Sequence, residues 1–586
     1  MLEAKDVCYE IEQEEEPLLL LNGVDFCIPE GHFMAIVGPS GCGKTTLLKT
    51  IAGIITETDG HFCWNGRNLA EDGDFEPDEI GYVPQFSIAY DQLTVDESIE
   101  SAARLRCRFD SEDELDNIID KALDETGLSE IADRQVKHLS GGQKRRLALA
   151  MELVSSPRIL LCDEVTSGLD PRSEKEIMTL LHDLARKDGR IVISVTHSLA
   201  DMDMYDSIMV LHQGCIAYHG SPRTIGHYFS TGNLEEIYPK LALRKPADWK
   251  QSWLKHRESY YERLDTEREH KLRETGTPTP AAKRSAAAIA DENEEELPGK
   301  PSQPGAFSQF WTLFARRWKI LSRDRTQLML QIAMILIFPI MVSLFSSKGQ
   351  EQIIQFTAER SQNLTTEIQQ AQDVQENRAK VGSAVSGIIM FEVILLGLMG
   401  SNNAAREIAG ERLIVEKEKF AGVGTGAYMM SKYAFLGILV LVQSLWMFAF
   451  VEWWWPYRGD SMTHLGFLIL ANAAMTSVCL GISALSRTPD QASLLSIYLV
   501  GFQLPLSGAV LALPNILEPI VHPFISAYWA WSGSIEGGLA ENIKQAVRAI
   551  VNTEFSAADL CFYILIAHII AGMVLTYIGL KRAKWD

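Results

Sequence analysis

The nine residues GPSGCGKTT, Gly38 to Thr46, follow directly on the apolar run Phe33 to Val37 and lead into a helix-forming run. Gly38, Gly43, Lys44 and Thr45 fit the spacing GxxxxGK(S/T) at every position. In such a loop Pro39, Ser40, Gly41, Cys42 and Thr46 complete a backbone cradle. Glycines let N–H groups curl around phosphate oxygens, the helix N-terminus adds positive potential, Lys44 neutralises β/γ charge and Thr45 can ligate Mg2+. A chance glycine-rich turn is the competing reading, and the strand before and helix after it argue against that. The chain up to about Pro246 alternates short β-rich runs, such as Ile159 to Cys162 and Ile191 to Val195, with polar helical stretches. That pattern predicts an α/β domain with a largely parallel sheet.

Asp163 ends the apolar strand Ile159 to Cys162, where a carboxylate can reach the Mg2+ shell beside the loop. The next residue, Glu164, is placed to polarise an attacking water. Alone, an acidic pair at a strand end is more often a helix cap or a solvated turn. With the phosphate loop upstream, catalysis is the better reading.

The second half is built differently. Six apolar segments, 328–345, 381–400, 434–451, 465–485, 492–513 and 560–580, each come near the roughly 20 residues that cross a bilayer. One such segment alone could be a buried soluble helix, but six in succession predict an all-α membrane domain over 327–586. Before it, residues 247–306 hold a charged helix, about Trp253 to Arg273, and a Pro-, Gly- and acid-rich stretch from Thr275 to Gly305 that reads as a linker. Residues 307–326 place Phe310, Leu313, Phe314, Trp318 and Leu321 on one helical face beside Arg316, Arg317, Lys319, Arg323 and Arg325, as in a helix lying on the inner membrane surface. The expected inner flanks carry twice the Lys and Arg of the outer loops, which puts both termini in the cytoplasm and makes the plasma membrane the expected location. Met1 to Glu16 has no apolar core of the kind a signal peptide needs.

With 76 acidic against 54 basic residues and a net charge of -22, the chain is a poor nucleic-acid binder overall. The nine cysteines show no zinc-ligand spacing and read as reduced or buried thiols.

Taken with LSGGQ at Leu139 to Gln143, the first half resembles an ATP-binding-cassette nucleotide-binding domain, here residues 1–246. The resemblance makes Gln85 in GYVPQ the Q-loop, near the Mg2+ and the attacking water, Asp170 in SGLD the D-loop, and His197 the switch histidine. It makes Tyr9 an adenine-stacking aromatic, although an ordinary strand aromatic is as good a reading. It also implies that two cassettes sandwich ATP. Ser140, Gly141, Gly142 and Gln143 of one chain then complete the site of another. These residues open a predicted helix, so their amides make a second anion cradle that the chain's own phosphate loop does not need. One cassette and six spans per chain imply a dimer of half-transporters, homodimeric or heterodimeric.

Cassette first and membrane domain second resembles the White/ABCG class, as do LTVDES at Leu93 to Ser98 and the stretch Asn403 to Phe420. There Glu411, Arg412 and Glu418 are expected to make an ionic set linking membrane helices to cassette; a solvated charged loop is the alternative. The last external segment, Pro514 to Asp559, has no cysteine, and the first, Ser346 to Lys380, is long and polar, features closer to bacterial members of the class. Asn363 to Thr365 forms a glycosylation sequon.

Within the spans, Glu392 and Gln331 are expected to face a cavity or a partner helix, with neutral packing as the other reading. Pro505, with Gln503 and Ser507, predicts a kinked fifth helix. The expected function is ATP-driven export or flipping of an amphipathic or lipid-like substrate, catalysed with Glu164, His197 and Gln85. A soluble-type cassette ATPase of translation or DNA repair and an importer are the alternatives.

Overall fold

The computed structural model describes residues 1–11, 17–86, 88–187, 189–197, 201–233, 236–274, 303–346, 367–455, 459–510, 513–514 and 516–582. It divides into two compact units: Met1–Ser308 with Lys417–Val423, and Gln309–Glu416 with Gly424–Asp586.

The first unit holds two sheets. Strands β1 (Leu2–Ile11), β2 (Leu18–Ile28), β4 (Asp59–Trp64) and β5 (Arg67–Asn68) pair antiparallel in the order β2-β1-β4-β5. The second sheet runs β10-β9-β3-β8-β7-β6, from β3 (Phe33–Val37), β6 (Ile80–Val83), β7 (Ile159–Asp163), β8 (Ile191–Val195), β9 (Ser207–His212) and β10 (Cys215–Gly220). All its pairs are parallel except β9 with β10. Every residue of β3, β7 and β8 is buried, which is why these strands read as unbroken apolar runs instead of alternating ones. Parallel order also brings the carboxyl ends of β6, β7, β8 and β3 to one edge, where open α/β sheets place their ligands.

The main helices of this unit are α1 (Lys44–Ile51), α2 (Val95–Arg106), α3 (Glu112–Thr126), α4 (Gly141–Leu153), α5 (Pro171–Lys187), α6 (Ile237–Ala242) and α7 (Pro246–Glu274). Capping boxes start α2, from Thr94 and Glu97, and α4, from Ser140 and Gln143. Val95, Ile99, Leu115, Ile119 and Leu147 close a separate core under α2, α3 and α4, the helical subdomain. Trp253 and Tyr260 fix α7 against Tyr218 of β10, with ring centroids 5.7 and 5.5 Å apart. The linker expected from Thr275 lies outside the described residues up to position 302.

The second unit is helical: α8 (Ala306–Arg323), α9 (Arg325–Ser346), α10 (Glu367–Ala404), α11 (Arg412–Phe420), α12 (Thr425–Trp454), α13 (Ser461–Leu485), α14 (Pro489–Leu506), α15 (Ser526–Gly538), α16 (Glu541–Arg548) and α17 (Ala558–Arg582). Among the described residues, five helical stretches are long and apolar enough to cross a membrane, where the sequence suggested six. The sixth expected segment, 492–513, overlaps α14. Its helix, α14, is only 18 residues long, opens on Thr488, Pro489 and Asp490, carries Pro505 in its last turn and gives way to Gly508 at φ 77°.

Two segments expected outside the membrane contain helices. Residues 367–380 belong to α10 instead of a loop, while 347–366, with the sequon, lie outside the described residues. The last segment contains α15, whose Trp529 and Trp531 are buried.

Helix α8 buries Leu313 and Leu321 of its expected apolar face and leaves Lys319, Arg323 and, at the start of α9, Arg325 exposed, but it also buries two of its arginines. Arg316 and Arg317 are buried, whereas Phe307 and Trp311 are 80% and 58% exposed. The cause is Glu407, whose carboxylate accepts from Arg317 Nε and Nη2 at 2.5 and 2.7 Å and from Lys432 Nζ at 2.9 Å.

Small residues let the helices approach closely. A Cβ on Gly572 of α17 would lie 2.4 Å from the Ser477 carbonyl carbon of α13, and one on Gly579 would lie 2.6 Å from that of Ala484. Gln331, Asn403 and Gln443 close a ring of amide hydrogen bonds of 2.7, 3.0 and 3.1 Å across α9, α10 and α12. Glu392 is fully buried and its Oε2 meets His464 Nε2 of α13 at 3.2 Å. Both residues thus face partner helices. A cavity of about 850 Å³ is lined by Ser386, Met390 and Phe391 of α10 with Leu504, Val510 and Asn552.

Candidate functional site

The loop between β3 and α1 is shaped by its glycines. A Cβ on Gly43, at φ 102°, would lie 2.8 Å from Leu20 O, whereas one on Gly41 would meet nothing within 4 Å. The loop is therefore braced from behind by β2 and open at its tip, a concavity walled by backbone. Lys44 is nearly buried, and its Nζ donates to Gly38 O at 3.1 Å and Pro39 O at 3.0 Å. Neutral backbone carbonyls hold this ammonium, so its charge is available to an anion entering the loop. Burial pushes the Cys42 thiol up, against the pull of Lys44.

Thr45 Oγ1 donates to Asp163 Oδ1 at 3.1 Å, and Tyr82 OH donates to Asp163 Oδ2 at 3.3 Å. Burial, partly offset by the Thr45 hydrogen bond, moves the Asp163 carboxyl above its usual range. A hydroxyl and a carboxylate at this spacing are the oxygen donors a hard divalent cation takes. Glu164 follows in the left-handed region at φ 48°, its N–H held by Val195 O at 3.1 Å. One carboxylate oxygen accepts from Gln85 Nε2 at 2.7 Å, and the other meets His197 Nε2. The three candidates from β6, β7 and β8 therefore converge on one another at the sheet edge.

Ser140 caps α4, accepting from Gln143 N at 3.3 Å while Gln143 Oε1 accepts from Ser140 N at 3.0 Å. The amides of Gly141 and Gly142 lie in the first turn, where helical N–H groups have no intrahelical acceptor. Asp170 caps α5 through Arg172 N at 3.2 Å and Ser173 N at 3.1 Å. The α4 start packs on this cap, with a Gly142 Cβ 3.3 Å from the Ser173 side chain. Tyr9 stands opposite Leu21 in the β1–β2 ladder, one strand removed from the loop that Leu20 O braces.

Several contributors were not singled out from the sequence. Tyr82 is inside GYVPQ, but nothing in its spacing signals a hydrogen bond to Asp163. Glu152 is buried between Arg106, at 2.6 and 3.0 Å, and Lys417 Nζ, at 2.9 Å. Burial would raise its pKa, yet the two cations outweigh it and bring it down to about 2. Of the ionic set expected around Glu411, Arg412 and Glu418, Glu411 pairs with Lys432 at 2.6 Å and Arg412 with Glu416 at 2.9 Å. Lys417, absent from that expectation, belongs with the compact unit of the phosphate loop.

Two family models match the chain: "ABC transporter" over residues 21–167 and "ABC-2 type transporter" over residues 308–531. An ABC transporter ATP-binding/permease protein of Mycobacterium tuberculosis is 28% identical over 503 residues, covering 84% of this chain and 52% of that protein. The chain thus spans about half that relative's length. The ferric enterobactin transport ATP-binding protein of Escherichia coli is 35% identical over 204 residues, 34% of this chain and 74% of that protein. A sulfate/thiosulfate import ATP-binding protein of Mycobacterium bovis is 37% identical over 208 residues, 35% and 58% of the two chains.

Proposed function

Because the chain belongs to the ABC transporter family, with an ATP-binding cassette followed by an ABC-2 type membrane domain, we propose that it exports or flips an amphipathic or lipid-like compound as a dimer of half-transporters. The observation that carries this reading is the convergence of Gln85, Glu164 and His197 beside the Lys44 loop, in one chain with five membrane-length helices.

ATP would lie against the loop from Gly38 to Thr46, its phosphate charge met by Lys44, with Tyr9 near the base. Thr45 and Asp163 would hold Mg2+, with Gln85 beside them, and the ion would neutralise charge on the β- and γ-phosphates. Glu164, held between Gln85 and His197, would orient the attacking water and take its proton. The first-turn amides after Ser140, with Gln143 and Asp170, would face the nucleotide of the second chain. Lys417, gripping Glu152 on α4, supports the segment after Glu411 as the part that passes cassette motion to the helices.

The cavity beside α10 supports an amphiphile. Its lining joins Ser386 and Asn552 to Met390, Phe391 and Leu504 and, among the described residues, contains no charged side chain. The order of the two halves supports a White/ABCG-like transporter, with both termini in the cytoplasm of a plasma-membrane protein.

Glu164→Gln should lower turnover by about 10²- to 10⁴-fold while leaving ATP binding intact. Undiminished hydrolysis would contradict the assignment. In reconstituted protein, lipids, glycolipids or hydrophobic drugs should stimulate hydrolysis; silence from every amphiphile would remove the lipid-like substrate. Import is the second reading, favoured by the likeness of the cassette to an import ATP-binding protein. The direction of transport in sealed vesicles decides between them.

A further inference from the structure

Helix α6 is firmly seated in the cassette. Ile237 and Leu241 are fully buried, Trp249 Nε1 donates to Leu241 O at 3.1 Å, and Lys240 Nζ donates to the carbonyls of Phe229 and Ser230 at 3.1 and 2.5 Å. From this anchored turn the half-buried side chain of Tyr238 reaches the nucleotide edge of the sheet. Its hydroxyl donates to His197 O at 3.5 Å, and its oxygen lies in hydrogen-bonding reach of the Gly38 N–H.

Those two backbone groups are not interchangeable with others nearby. Gly38 O is an acceptor for the Lys44 ammonium, and the His197 ring holds Glu164. Tyr238 therefore touches the peptide units that carry the loop's cation and the carboxylate's imidazole partner. His197 lies beyond the end of β8, past the ladder that fixes Ile191–Val195, so a tie to its carbonyl from an outside helix restrains it where the sheet does not. Burial pushes the Tyr238 phenol up to about 12, so the hydroxyl remains a donor across the working range of the enzyme.

We propose that Tyr238 is a positioning residue of the ATPase site, holding the first glycine of the phosphate loop and the His197 backbone in register. The inference rests on the reading of Glu164 and His197 given above, and adds a residue that touches neither phosphate nor water.

Tyr238→Phe keeps the ring and removes the hydroxyl. In the full-length reconstituted protein it should lower kcat about 2- to 10-fold, the range of one modest hydrogen bond, with KM for ATP and the unfolding temperature unchanged. In a His197→Ala background the same substitution should cost less than in the wild type, since only the hold on Gly38 is then left to lose. An unaltered kcat, a loss matched by a lower unfolding temperature, or an equal loss without His197 would each overturn the proposal. If Glu164→Gln abolishes turnover and Tyr238→Phe is silent, only the role of Tyr238 falls. If Glu164→Gln is itself silent, the reading of the site falls first.

Discussion

Glu152 of the cassette lies between Arg106 and Lys417, and Glu407 of the helical half lies between Arg317 and Lys432, each carboxylate within 2.9 Å of both cations. Asp163 and Glu164 are held otherwise. Their hydrogen-bond partners are the hydroxyls of Thr45 and Tyr82, the amide of Gln85 and the imidazole of His197. The difference is one of where charge is left over. A buried carboxylate clamped by two permanent cations has its charge cancelled and serves as a joint between elements. One held by hydroxyls and an amide keeps its negative charge for a ligand, which in the proposed function is a divalent cation or the proton of a water.

Removing a clamped acid should have the largest effect on stability. Glu407→Ala leaves two buried cations facing each other, and Glu152→Ala does the same in the cassette; each should destabilise its half by about 3–5 kcal/mol. Denaturant unfolding of the purified protein measures this, and a change below about 1 kcal/mol would erase the contrast with Asp163 and Glu164.

Acid should reveal the same joint in the intact chain. The folded-state pKa of Glu152 is depressed from 4.5 to about 2, so its contribution is present above about pH 4.5 and is lost as pH falls toward 2. By linkage this is roughly 3 kcal/mol. Unfolding curves of wild type and Glu152→Gln should converge across that window; a constant gap would show that the cations do not set the titration.

A smaller effect tests how the helical half is held apart from its charges. Gly572→Ala forces a methyl against the Ser477 backbone, at 2.4 Å in the present packing, and should cost about 1–3 kcal/mol. Gly41→Ala in the phosphate loop, where a Cβ meets nothing but the backbone is at φ 76°, should instead disturb nucleotide binding more than stability. Thermal unfolding beside ATP binding separates the two, and an equal pattern in both would defeat the distinction.

Much of the cassette was legible because its loops are short and their chemistry is local. The spacing of Gly38, Gly43, Lys44 and Thr45 sits at a strand–helix junction in the chain and in the fold alike, and Ser140 to Gln143 opens α4 as their composition implied. The helical half was legible only in outline. Apolar length found the cores of α9, α10, α12, α13 and α17, but it did not show that the helix within 492–513 ends beside Pro505 and Gly508, and it passed over α15, whose serines and glycines dilute a buried tryptophan face. The burial of Arg316 and Arg317 on α8 was missed for a related reason: periodicity gives the apolar face of a helix without saying which of its charges find a buried partner such as Glu407.

The sequence by itself determined the two building principles, a phosphate-gripping α/β cassette and an apolar helical half, because both are written in contiguous runs whose spacing has a direct physical cause. Only the tertiary structure decided which charges meet. Arg317 and Glu407 are 90 positions apart, Arg106 and Glu152 are 46 apart, and Tyr238 reaches His197 across 41. Pairing at such separations depends on how the elements stack, and no local pattern of residues encodes it.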